Sequence, residues 1–260
     1  MTIHNLEGLL SPQSIAVIGP NTHGPVLSER LFAQINASGF KGPKYVTYWR
    51  DDVPKGFKKI RSLRDLKTPV DLVVLLGDPE HCIGAIERAG KFGSKAAIIP
   101  ASGFHRWEEK KIAQALETAR PHSLRILGPG SLGVATPHAN LSALLTADSA
   151  ASGDLALISR SGTIFNATLA WAKENAVGFS GVVSLGRRAD VDVSDLLDWY
   201  AQDYRTRAIL VHFETLENPR KFLSAARAAA RSKPVIVIRS GASRDKETIG
   251  STHAGPPRLQ

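Results

Sequence analysis

Val70-Asp-Leu-Val-Val-Leu-Leu76 is apolar at six of its seven positions. A strand with one wet face alternates apolar and polar residues, whereas an unbroken apolar run belongs to a strand covered on both faces. Gly77 and Asp78 follow it, and Pro79–Phe92 then reads as a helix with proline near its first turn. A buried strand that delivers the chain directly to a helix is the building block of a doubly wound α/β sheet.

The same alternation extends in both directions. Upstream, Ser14–Gly19 (SIAVIG) and Lys44–Trp49 read as strands, and Pro25–Ser38 as a helix stopped by Gly39. Downstream, Lys95–Ala101 and Leu124–Leu127 read as strands on either side of a helix at Trp107–Arg120. A second series follows, with strands at Asp154–Ser159, Phe179–Leu185, Arg207–Phe213 and Pro234–Arg239. Its helices are expected at Gly162–Asn175, Val193–Gln202 and Pro219–Arg231. Between the two series, Pro137–Gly153 is rich in Ala, Ser and Thr and has no strong period. The expectation is two doubly wound parallel-sheet domains, residues 1–148 and 149–260.

Hydrophobic residues make up 43% of the 260, enough for a packed core and against disorder. No apolar run is long enough for a membrane helix. The opening Met1–Gly8 has neither the basic nor the apolar region of a secretory leader. Cys82 is the single cysteine, so no internal disulfide can form. A soluble cytoplasmic protein is expected. The net charge of +9 attracts anions, but the basic residues are scattered, without zinc-finger spacing or an aromatic RNA-binding signature. A phosphorylated small molecule suits such a dispersed excess equally well, and most of it reads as solubility charge.

Four segments could carry chemistry. The first strand–helix turn, Gly19-Pro-Asn-Thr-His-Gly24, is where backbone amides approach phosphates in such folds. It lacks the G-x-G-x-x-G pattern, which weakens a nicotinamide dehydrogenase reading even with Asp51 and Asp52 available. The literal pattern at Gly128–Gly133 is followed by Pro137 and a helix-poor stretch, and reads as a rigid loop after the last strand of the first domain. Ser159-Arg-Ser-Gly-Thr163 joins a strand to a helix. There the helix N-terminus and the Ser161 and Thr163 hydroxyls either bind an anion or simply cap the helix. His253, in Gly250-Ser-Thr-His-Ala-Gly255, has small neighbours and either acts as a nucleophile toward phosphorus or is merely solvated. Glu214, at the end of an apolar strand, either orients a histidine through Nδ1 or is a surface or capping acid. Cys82 reads as packing, and His23, His105 and His212 have no metal-ligand spacing.

Seven segments taken in order resemble one family: SPQSIAVIG, PVDLVVLLGDPEH, AAIIPASGF, LGPGSLGVATP, LISRSGTIFNATLAW, GFSGVVSLGRRADVDVSDLLDW and STHAG. The chain resembles the NDP-forming acyl-CoA synthetases, the group that includes the succinyl-CoA ligase α subunit. The resemblance implies a Rossmann-like CoA-binding domain followed by a flavodoxin-like ligase domain. It also implies conversion of an acid, CoA and NTP into acyl-CoA, NDP and phosphate through an acyl phosphate and a phosphohistidine. By resemblance His253 is the phosphorylated residue and Glu214 the acid that orients it. Ser161, Gly162 and Thr163 cradle the phosphoryl group. Gly19, Asn21 and Gly24 face CoA, and Gly77, Pro79, Ser102 and Gly103 line its path. No metal ligands are implied on this chain. Coenzyme A and a small carboxylic acid are the implied substrates. ATP or GTP with Mg is implied on an ATP-grasp β-type subunit or domain, in an oligomer.

The departures from the family pattern fall in the CoA half: the altered Gly19–Gly24 turn, Tyr45-Val-Thr-Tyr-Trp-Arg-Asp51 after the second strand, and Gly130-Ser131 in place of Asn-Cys. They motivate a second reading, a non-catalytic acyl-CoA-binding regulatory module of a protein acetyltransferase system.

Overall fold

The computed structural model describes residues 4–19, 25–47, 53–100, 107–187 and 189–240. Its strands are β1 (Ile15–Ile18), β2 (Lys44–Thr47), β3 (Lys58–Lys59), β4 (Leu72–Leu75), β5 (Ala96–Pro100), β6 (Arg125–Ser131), β7 (Gly133–Thr136), β8 (Leu141–Leu144), β9 (Ser152–Ser159), β10 (Phe179–Ser184), β11 (Ala208–Phe213) and β12 (Val235–Arg239). The helices are α1 (Glu7–Leu10), α2 (Pro25–Ala37), α3 (Pro79–Phe92), α4 (Glu109–Ala119), α5 (Gly162–Glu174), α6 (Val193–Gln202) and α7 (Pro219–Ala229).

The first sheet has the order β3-β2-β1-β4-β5-β6 and is parallel throughout. This is the doubly wound order that reverses direction beside its first strand and opens a ligand crevice at the carboxyl ends there. The apolar run Val70–Leu76 supplies β4, completely buried between β1 and β5. Asp78 caps α3 by accepting from the His81 amide at 2.9 Å. Pro79 occupies the first turn, and Gly93 ends the helix in the left-handed region.

The second sheet has the order β12-β11-β9-β10-β7-β8. Strands β9 to β12 are parallel, in the order of a flavodoxin-like sheet, and the β7–β8 hairpin adds antiparallel to the β10 edge. One expectation is corrected here. The Gly128–Gly133 segment is not a loop: β6 continues through Gly128, Pro129 and Gly130 to Ser131, across a cis Gly128–Pro129 bond, and β7 starts at Gly133. The stretch after Pro137, which has no strong period, holds β8, every residue of which is buried. Hydrogen bonding thus passes from one sheet to the other at Leu132, N-terminal to the expected division at 148/149.

The hairpin ties the halves together. One apolar core runs from Leu31 and Ile35 of α2 through Val134, Leu141 and Ala143 of the hairpin to Val183 and Ile209 of the second sheet. Gln34 of α2 is buried within it, accepting from Ser142 Oγ at 2.9 Å and donating to the Thr146 carbonyl at 3.2 Å. A buried amide whose groups are satisfied fixes one register between the two halves.

Candidate active site

The second sheet presents its carboxyl edge to a pocket of about 360 Å³ lined by Gly130, Leu132, Arg160, Gly162, Gly186, Arg187, Glu214 and Thr215. Three parallel strands end there. β9 leads into Arg160 and Gly162, β10 into Gly186 and Arg187, and β11 into Glu214 and Thr215. Gly130 and Leu132 come from the opposite side, at the end of β6 and just beyond it. Gly186 is required as glycine: at φ +63° a Cβ would lie 2.5 Å from the Gly130 carbonyl carbon.

The Ser159–Thr163 turn is held from within. Ser159 is fully buried, and its hydroxyl lies 3.0 Å from the Ser161 carbonyl while accepting from the Ser161 amide at 3.2 Å. Ser161 is the N-cap of α5 and accepts from the Ile164 amide at 3.4 Å. The capping reading of Ser161 is therefore correct as geometry. It leaves Gly162 and Thr163 as the first two helical residues, whose amides have no intrahelical carbonyl to reach. Those amides and the helix dipole favour an anion.

Two guanidinium groups line the pocket. Arg160 is steadied by donating to the Thr215 carbonyl at 3.0 Å. Arg187 donates to the Trp107 carbonyl and pairs with Glu109 at the start of α4, so it spans from the second sheet to a helix of the first. Glu214 is exposed, one residue beyond β11, in the pocket that Gly162 lines. The structure thus brings Gly162 and Glu214 together, with Ser161 and Thr163 flanking Gly162. His253 lies outside the described residues.

Of the residues expected to face CoA, Gly19, Gly77 and Pro79 lie at the carboxyl edge of the first sheet. Gly19 follows β1 at φ +141°, and a Cβ there would lie 1.6 Å from the Leu76 carbonyl oxygen, so only glycine fits. Gly77 and Pro79 follow the adjacent β4. Asn21, Gly24, Ser102 and Gly103 lie outside the described residues. Next to Gly19 a narrow cleft is lined by Ile18, Thr47, Ser62, Leu63, Arg64 and Arg88. Thr47 Oγ1 is buried there without a hydrogen-bond partner among the described residues. An orphan hydroxyl beside two arginines suits the hydroxyl and phosphate groups of a nucleotide-like ligand such as CoA.

Arg64, Arg88, Arg160, Arg187 and His212 carry no site signal of their own in the sequence. Arg160 lies within Ser159–Thr163, and its place directly after a strand is the one available mark. Nothing in the sequence marks which of the scattered arginines converge.

A set of charges joins the halves. Arg125 of β6 donates to Asp190 at 2.6 Å and to Asp195 at 2.7 Å, and Lys221 of α7 donates to Asp195 at 2.7 Å and Asp192 at 3.0 Å. Asp192 and Asp195 also form the capping box of α6. Burial works against the charge on Arg125 and Lys221, but hydrogen bonds to these carboxylates outweigh it and hold both above their ordinary values. Burial pushes Asp195 upward, against the pull of Lys221 and Arg125. Its carboxylate accepts from Arg125, Lys221 and the Asp192 amide.

Residues 13–137 match the CoA binding domain, and residues 152–257 match the succinyl-CoA ligase like flavodoxin domain. The chain is 34% identical to the α subunit of acetate–CoA ligase (ADP-forming) I of Pyrococcus furiosus, over 96% of this chain and 56% of that protein. It is 30% identical to 4-hydroxybutyrate–CoA ligase (ADP-forming) of Nitrosopumilus maritimus, over 95% of this chain and 36% of that protein. The structure superposes on dinucleotide-forming acetyl-coenzyme A synthetase 1 of Ca. Korarchaeum cryptofilum, solved with phosphate and ADP. That match has a TM-score of 0.84 and 30% identity, and covers 91% of this chain and 52% of that one. The chain thus spans about half or less of the length of these relatives. With both domains matched in order and both sheets reproduced, the chain belongs to the NDP-forming acyl-CoA synthetase family.

Proposed function

We propose that this chain is the α-type component of an NDP-forming acyl-CoA synthetase. The overall reaction converts an acid, CoA and NTP into acyl-CoA, NDP and phosphate. The observation that carries this is the pocket at the carboxyl edge of the second sheet, where Arg160, Arg187, the α5 N-terminus and Glu214 converge on a glycine-lined space. Such a site neutralises a phosphoryl group and its transition-state charge with preorganised donors.

In this reading the Gly162 and Thr163 amides hold the phosphoryl oxygens, and Arg160 and Arg187 screen their charge. Glu214 accepts from His253 Nδ1–H, which leaves the Nε2 lone pair free to attack phosphorus. In the direction of synthesis the N–P bond forms as the P–O bond to NDP breaks. The acid's carboxylate oxygen then attacks the same phosphorus, which returns the electron pair to Nε2 and gives the acyl phosphate, and the CoA thiolate attacks the acyl carbon as phosphate leaves. Gly19, Asn21, Gly24, Gly77, Pro79, Ser102 and Gly103 border CoA, joined by Thr47, Arg64 and Arg88. CoA supplies the thiol that accepts the acyl group. Functionally we divide the chain at 148/149, between the two matched segments, with the β7–β8 hairpin as the first domain's clasp on the second sheet.

The nucleotide and its Mg are assigned to an ATP-grasp β-type subunit or domain within an oligomer. Among the described residues no helix is long and apolar enough to cross a membrane, in keeping with a cytoplasmic enzyme. The test is to mix the chain with a matching ATP-grasp partner, acetate, CoA and ATP, and to follow acetyl-CoA. Formation that is lost in His253→Ala is expected. Binding of acetyl-CoA without turnover would instead favour the regulatory-module reading.

A further inference from the structure

Beneath the anion turn lies an imidazole that the reaction above does not use. His212 of β11 is 1% exposed and sits in register with Ser159 of β9 on one side and Ile238 of β12 on the other. Its Nδ1 is 3.3 Å from Ser159 Oγ, and its Nε2 is 2.9 Å from Ser240 Oγ. Ser240 is the last described residue before the segment that carries His253.

Proton counting shows which tautomer links Ser159 to the Ser161 carbonyl. The Ser159 hydroxyl has one hydrogen, and it lies within reach of two acceptors, the Ser161 carbonyl and a deprotonated Nδ1. If Nδ1 carries a proton, it donates to Ser159 Oγ. Ser159 then donates to the Ser161 carbonyl, the Ser161 amide donates back to Ser159 Oγ, and Ser240 donates to Nε2. Every group is satisfied. In the other tautomer Ser159 must give its proton to Nδ1, and the Ser161 carbonyl keeps only the Phe165 amide, at 2.9 Å, so the Ser159–Ser161 link is lost on that side.

A buried imidazole in an apolar strand carries a desolvation cost that a leucine would avoid. What it supplies here is a fixed orientation for Ser159, hence for Ser161, and hence for the first amides of α5. We infer that His212, as its Nδ1–H tautomer, is a positioning residue that sets the anion turn and ties it to Ser240. This rests on the reading of that turn as a phosphate site.

The experiment titrates the full chain with inorganic phosphate by calorimetry, for native protein, His212→Leu and His212→Asn, with Tm recorded for each. The Asn amide can replace the Nδ1–H donor to Ser159 but cannot reach Ser240. His212→Leu is expected to weaken phosphate binding about tenfold, and His212→Asn to stay within about twofold of native, at similar Tm losses. Equal binding by native and His212→Leu would overturn the inference and leave the phosphate site standing. Affinity losses that simply track the Tm losses would also overturn it. Absence of phosphate binding by the native chain would remove the site reading and the inference with it. Nitrogen-15 NMR of His212 gives an independent check: a protonated Nδ1 and an unprotonated Nε2 support the relay, and the reverse contradicts it.

Discussion

Arg125, at the start of the last strand of the first sheet, donates to Asp195, in the first turn of α6 on the second, at 2.7 Å. The Asp195 side chain is 3% exposed, and it also receives Lys221. The two halves are therefore locked by a buried charge set, and its members are not interchangeable with surface ion pairs.

Asp195→Ala removes the shared acceptor and leaves Arg125 with Asp190 alone and Lys221 with Asp192 alone. Breaking a buried pair from one side costs about 3–5 kcal/mol. Urea denaturation should show a lower midpoint of that size. A loss under about 1 kcal/mol would mean that the set is solvated like a surface pair.

Lys221 gives the set a pH signature. Its folded value lies above the ordinary 10.5, because bonds to Asp195 and Asp192 outweigh burial. Its contribution to stability is then fully present below pH 10.5 and is lost as pH rises through the folded value. Lys221→Met should flatten that part of the alkaline Tm profile, and an unchanged profile would count against the pairing.

Cys82 should be inert. It is fully buried, and burial, with Asp78 adding, pushes its thiol from 9.0 up to about 12. Iodoacetamide should leave the folded chain unmodified at mildly alkaline pH and label it in denaturant. The thiol's contribution to stability is intact below pH 9.0 and is lost as pH climbs toward about 12. Rapid labelling of the native chain would contradict the packing role.

Gly19→Ala should be among the costliest single changes in the first sheet. The positive φ and the 1.6 Å approach of a Cβ to the Leu76 carbonyl force β1 and β4 to shift. A loss of at least about 2 kcal/mol is expected in chemical denaturation, together with loss of CoA binding. A variant of native stability would exclude this backbone approach.

Ser161→Ala removes the α5 cap and should cost about 1 kcal/mol in denaturation. Because the capped turn also presents the Gly162 and Thr163 amides, phosphate binding should weaken in parallel. Unchanged affinity would separate the cap from the anion site.

Much of the fold was legible because its strands are short, apolar and regularly spaced. The apolar run at Val70–Leu76, the capped helix at Pro79 and the strand–turn–helix at Ser159 each carry local signals that agree with their final places. The β7–β8 hairpin was not legible. Its register is set by pairing with β10, far along the chain, and its residues (GVAT, LSAL) are small and weakly patterned. Gly128–Ser131 read as a loop because glycine and proline punctuate turns, yet the β6 partner strand overrides that preference. At the site, Ser161, Gly162 and Glu214 were visible as residues next to strand ends. The convergence of Arg160 with Arg187, and the buried contacts of His212, come from three strands meeting in space and leave no trace in local spacing.

The central claim is tested most directly by phosphohistidine chemistry. The chain is incubated with a matching ATP-grasp partner and γ-labelled ATP, and bound phosphate is mapped after acid and alkali treatment. The account predicts acid-labile, alkali-stable phosphate on His253 and none on His253→Ala. Equal labelling of the His253→Ala protein, or no labelling of the native chain, would contradict it.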